Sequence, residues 1–120
     1  MLRLELRKPA RITVGALGEY TFEPGQYLYV GSARRGIGAR VARHKRLVGT
    51  KTGIAHWHID YLLLHPQCSL AGVEVLPGAE ECMVSRSIGE QDGITIPVIG
   101  FGSTDCWSNC RAHLFFESPT

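Results

Sequence analysis

From Pro24 to Ile59 the chain carries no Asp or Glu, and this gap constrains its folding and its surface more than any other feature. The whole sequence has 11 acidic residues and 13 Lys and Arg, so a net charge of only +2 conceals a segregation. Arg34, Arg35, Arg40, Arg43, Lys45, Arg46 and Lys51 all fall inside the acid-free window. Within it, Tyr29 to Arg46 reads YVGSARRGIGARVARHKR. An extended apolar-aromatic run passes through a Gly-rich turn into a basic segment with helical spacing. Arg40 and His44 lie four residues apart, hence on one helical face. A strand that hands over to a basic helix is suited to holding a polyanion at a fixed point.

The remaining elements follow from period and punctuation. Leu2, Leu4 and Leu6 alternate with Arg3, Glu5 and Arg7, the pattern of a half-buried strand. Short strands are predicted at Arg11 to Val14 and Leu17 to Phe22, and Pro24-Gly25 turns the chain into a strand over Gln26 to Val30. On that strand Leu28 and Val30 face one way, Tyr27 and Tyr29 the other. The aliphatic side is expected in the core, with both phenols towards a cleft. Helices are predicted over Gly38 to Val48, with Ile37, Val41 and Val48 as the inner stripe and Arg40, Arg43 and His44 beside or opposite it, and over His56 to Leu64. Ser69 to Leu76 reads as a strand and Ala79 to Ile88 as a third helix, its first turn carrying Glu80 and Glu81 where the helix dipole favours acids. Ile96 to Phe101 and His113 to Phe116 are candidate extended segments. The sum is a mixed α/β (α+β) fold, a small antiparallel sheet flanked by helices, as a single domain over residues 1–120.

Apolar runs are too short to span a membrane, and MLRLELRKPARI lacks the apolar region of a secretory signal. Cys68, Cys82, Cys106 and Cys110 are therefore expected as reduced thiols in a cytoplasmic protein. The glycines of Gly31-x4-Gly36-Ile37-Gly38 lack the Lys-Ser/Thr of a P-loop and the spacing of a dinucleotide fingerprint, and read as turn formers. Cys106, Cys110 and His113 could hold zinc, but their spacing is looser than that of structural zinc pairs. His56 and Asp60 share a helical face, which suggests a capping or supporting role.

Five blocks in order carry a resemblance: GQYLYVGSA (Gly25 to Ala33), RVARH (Arg40 to His44), HWHIDYLL (His56 to Leu63), Glu81-Cys82, and FGSTDC (Phe101 to Cys106) followed by HLFF. Together they resemble the small Uri-type branch of the GIY-YIG nuclease superfamily. The superfamily's opening Gly-x-Tyr has no counterpart ahead of LRLELRKP. Gly18-Glu19-Tyr20 and Gly25-Gln26-Tyr27 carry the letters, so either Tyr20 or Tyr27 substitutes or that tyrosine is missing. The resemblance implies a divalent-metal-dependent endonuclease. Glu81 would hold Mg²⁺ or Mn²⁺, Arg40 would offset phosphoryl charge, Tyr29 (with Tyr27 as the candidate second phenol) would deliver the nucleophile, and His44 would support the phosphate or the proton traffic. Arg34, Arg35, Arg43, Lys45 and Arg46 would contact the nucleic acid, with DNA the expected partner and RNA the alternative. The chemistry is consistent, since arginine's fork matches phosphate and a bound metal can activate water. The competing reading is a nucleic-acid-binding module of the same fold without catalysis.

Overall fold

The computed structural model describes residues 1–31, 37–74, 81–102 and 110–117, with the side chains of Ile37, Glu81 and Cys82 outside the description. Five strands form one antiparallel sheet: Leu2–Leu6 (β1), Gly25–Tyr29 (β4), Cys68–Val73 (β5), Ile94–Thr95 (β6) and Leu114–Glu117 (β7), in the order β5-β1-β4-β7-β6. Ala10–Thr13 (β2) and Glu19–Phe22 (β3) pair separately as a hairpin bridged by the 3-10 turn Gly15–Leu17. Three helices complete the described elements: Ile37–Thr50 (α1), His58–Leu63 (α2) and Glu81–Gly89 (α3). The fold is mixed α+β, as expected from the order of patterns.

Register puts β4 at the centre of the sheet, Leu4 opposite Tyr27 and Leu2 opposite Tyr29 on one side, Phe116 opposite Tyr27 and Leu114 opposite Tyr29 on the other. Because side chains alternate, these residues all point to one face, where Leu47 of α1 and Ile59, Leu62 and Leu63 of α2 close the main core. Leu28, Val30 and Phe115 point to the other face and pack against Val84 and Ile88 of α3. Both faces of the central strand are thus covered by helices. The expected cleft on the phenol side is therefore corrected: Tyr27 is 1% and Tyr29 9% exposed, inside the larger core. Tyr27 donates its phenol to the Glu23 carbonyl at 2.6 Å and stacks obliquely on Phe116 with centroids 4.9 Å apart. Burial, then the nearby Glu23, pushes its pKa far above that of a free phenol.

α1 runs two residues further than its polar, Gly-bearing end suggests, through Thr50. It is then stopped by Lys51 in the left-handed region (φ 57), whose N–H donates to the Leu47 carbonyl at 2.9 Å. The Lys51 ammonium donates to the Leu63 and Cys68 carbonyls at 2.8 and 2.6 Å, which fastens the end of α1 to the junction of α2 and β5. This cation from the basic window is spent inside the fold. The inner stripe of α1 also differs from expectation. Among its described side chains His44 (5% exposed) and Leu47 (3%) are buried, while Val41 and Val48 are only half-buried; Ile37 of the expected stripe has its side chain outside the description.

Ile96 to Phe101 is not a regular strand. The two-residue β6 pairs with β7, and the chain then bends. Gly100 donates to the Arg111 carbonyl at 2.7 Å and His113 to the Phe101 carbonyl at 2.8 Å. Val30 donates to the His113 carbonyl at 2.9 Å, so this return loop is laid against the end of β4. No helix among the described residues is long and apolar enough to cross a membrane.

Candidate nucleic-acid interface and active site

The block HWHID, to which the sequence assigned a family signature but no task, is where the structure concentrates its polar work. Asp60 has no solvent exposure, yet its carboxylate is fully supplied with donors. Arg43 grips it with Nη1 and Nη2, both at 2.8 Å, and the backbone N–H groups of His56 and Trp57 donate to Oδ2 at 2.7 and 2.9 Å. A buried carboxylate is tolerable only on such terms. Burial opposes its ionisation. The Arg43 fork and the two N–H groups outweigh that cost and hold the carboxyl below its usual range. The capping role expected of Asp60 is therefore present, and Arg43, expected on nucleic acid, has Asp60 as a structural partner.

This clasp sets the pose of Trp57. The guanidinium carbons of Arg40 and Arg43 stand 4.7 and 4.8 Å from the centre of the Trp57 ring, within cation–π range. Trp57 nonetheless stays 44% exposed. His56 is exposed beside it, edge-on at 6.4 Å. Lys45 and Arg46 are exposed on α1. His44 lies beneath, and its pKa is lowered first by burial and then by the Arg43 and Arg40 charges, against the opposing pull of Asp60. It is held as a neutral imidazole, buried where the sequence reading had it beside or opposite the inner stripe.

A second cluster gathers around Tyr29. Its ring meets Phe101 edge-on at 6.3 Å, and His58 lies tilted on the same Phe101 at 5.6 Å. The Gly102 N–H donates to Nδ1 of His58 at 2.8 Å, which places the proton of the neutral imidazole on Nε2. Gly102 passes between the two side chains in the left-handed region (φ 72), and a Cβ there would lie 3.1 Å from the Tyr29 ring and 3.5 Å from its hydroxyl. Gly31 makes an equally close approach on the same ring at 3.1 Å. Replacing Gly102 with alanine is expected to cost about 1–2 kcal/mol in backbone strain alone. Urea unfolding measures the loss, and an unchanged midpoint would contradict the packing described. Trp57 and His58 are adjacent, so the start of α2 joins the Tyr29 cluster to the arginine cluster.

The other predicted site residues are distributed as follows. Arg34 and Arg35 lie outside the described residues, as do Glu80 and Cys106. Glu81 opens α3, one turn ahead of Val84, which packs on the sheet face opposite Tyr29. β5 ends at Val73 opposite Leu2, itself opposite Tyr29, so the chain departs for α3 from the sheet end that carries Tyr29. Among the described residues no three His, Cys, Asp or Glu side chains converge as a metal cage. A magnesium site on a phosphate demands less, since one or two carboxylates with waters and substrate oxygens suffice. Glu81, the sequence's candidate for that role, has its side chain outside the described residues. Sequence alone does not mark His58 and Trp57 as site residues, because only the tertiary contacts show that adjacent residues of HWHID serve different clusters.

Fold and surface together define a small α+β protein in which a basic helix, an exposed indole and a cluster of a buried tyrosine with a half-buried histidine meet at one helix start. The chain belongs to the family described as Domain of unknown function DUF123, whose model matches residues 1–120. No curated protein and no solved structure matches it.

Proposed function

We propose that the protein is a divalent-metal-dependent endonuclease of the GIY-YIG type that hydrolyses phosphodiester bonds in DNA. The observation that carries this reading is the joining of the Tyr29 cluster to the Arg40 surface through the consecutive residues Trp57 and His58. In this reading Arg40, stacked on Trp57, offers its planar fork to phosphate oxygens and offsets charge that develops during cleavage. Lys45 and Arg46 draw in the strand. Tyr29, only 9% exposed and held by Phe101 and Gly102 at the end of β4, would orient the attacking water through the little of its surface that stays open. His58, with its proton on Nε2, is suited to donate a hydrogen bond to a phosphate oxygen, and the leaving oxygen takes its proton from solvent. The buried phenol of Tyr27 has a packing duty, and the neutral His44 supports α1 from within. Mg²⁺ or Mn²⁺ held by Glu81 would supply a lowered water pKa and charge neutralisation at the phosphate.

The test is nicking of plasmid and of branched duplexes with Mg²⁺ or Mn²⁺ against chelator. Metal-dependent nicking supports the reading. DNA binding that weakens steeply with salt, without turnover under either metal, would replace it with the binding-module reading. Absence of both would sink both.

A further inference from the structure

An indole at 44% exposure is unusual, because burying a side chain of that size is among the larger apolar gains available to a chain. Trp57 is also not left loose. Its backbone N–H is bonded to the buried Asp60, and Arg40 and Arg43 hold its ring. A partner that lands on it meets an aromatic surface whose ordering cost has already been met. The surroundings identify the partner's chemistry. No acid occurs in the sequence from Pro24 to Ile59, and the acid that follows, Asp60, is buried and neutralised by Arg43. Exposed Arg46 lies three residues beyond Arg43, on the same side of that helix. An apolar protein surface gains nothing from such a rim. A polyanion that carries flat apolar rings matches both parts at once.

We propose that Trp57, supported by Arg40 and Arg43, is a stacking platform for an unpaired nucleobase, with the flanking phosphates on the cations of α1. Bases inside an uninterrupted duplex stack on one another and present no face, so the ligand is a single strand, or a duplex with a flap or frayed end. This rests on the nucleic-acid reading above and narrows its substrate class. Trp57 is here a substrate-binding residue, and the metal has no part in the interaction.

Fluorescence anisotropy in chelator decides the matter without turnover, using labelled oligo(dT), oligo(rU), an abasic strand of equal phosphate number, and a blunt duplex, each about 12 nucleotides or base pairs long. Trp57→Ala is expected to weaken binding of the natural single strand by about 5–150-fold, the range of one base–aromatic stack, and to leave the duplex within about twofold. Trp57→Phe should keep most of the affinity. The abasic strand should bind wild type about as weakly as the natural strand binds Trp57→Ala. If the alanine variant does not fold, wild type and Trp57→Phe against the abasic strand give the answer. Equal losses on strand and duplex, or an abasic strand bound as tightly as the natural one, would overturn the platform while leaving any nicking activity standing. A loss seen with oligo(rU) alone supports the platform and assigns it to RNA. Failure of every oligonucleotide to bind would remove both this proposal and the reading beneath it.

Discussion

Replacing Asp60 with alanine is expected to remove about 3–5 kcal/mol of folding stability, because it leaves the Arg43 guanidinium half-buried without its counter-charge. It also strips two backbone N–H groups at the start of α2 of their acceptor. For a chain of this size the melting temperature should fall by roughly 10 °C or more. The double variant Asp60→Leu with Arg43→Met should recover much of the loss, since an apolar pair can replace a buried ion pair at little cost. A loss below about 1 kcal/mol would mean that the clasp does not hold α1 to α2. The dependence on pH gives an independent reading. The folded-state pKa of Asp60 is depressed, so its contribution is present above about pH 4, the ordinary carboxylate value, and is lost as pH falls through the lower folded value. His44 and His65 are also depressed, both chiefly by burial. Their contributions are complete above about pH 6.5 and decline as the pH drops below it, because the unfolded chain takes up protons first. Stability should therefore fall in two stages on acidification. His44→Gln should flatten the first stage without abolishing it, and Asp60→Ala should remove the second.

The other large effect is on cleavage. Glu81→Gln keeps the shape of the side chain and removes its charge, and it is expected to reduce metal-dependent nicking by about 10³-fold, equivalent to several kcal/mol of transition-state stabilisation. Arg40→Ala should cost about 10²–10³-fold, the usual worth of one preorganised donor on developing charge. Arg40→Lys should restore only part of this, because an ammonium cannot reproduce the planar fork. Arg40 also stacks on Trp57, so DNA affinity must be measured beside the rate; a pure loss of affinity would return Arg40 to the binding surface. Undiminished nicking by Glu81→Gln and Arg40→Ala would refute the proposed site outright.

The sequence was most legible where a period repeats. Leu2, Leu4 and Leu6 show a strand and its buried face directly, and the strand is found there with that face in the core. The helices too are found near their predicted spans, because apolar spacing and the Pro and Gly breaks are local signals. Ile96 to Phe101 misled because an apolar run looks the same whether it joins a ladder or bends over a core. Backbone bonds to Arg111 and His113, which are long-range partners, settle its path. The candidate site was half legible. Arg40 and Tyr29 were marked by charge and motif, whereas Trp57, His58 and Gly102 gain their meaning from neighbours distant in sequence.

What the chain determines by itself is its alternation, its helices and its acid-free basic window, all consequences of residues close together in sequence. Tertiary structure alone decided which face of β4 is covered, for the alternation of Tyr27, Leu28, Tyr29 and Val30 fixes two faces but cannot say that helices lie on both. It also decided that Arg43 spends its charge on Asp60, that His44 is buried and neutral, and that Trp57 remains in solvent. Each is a competition between hydration and a partner brought from another segment, and that balance exists only once the segments have met.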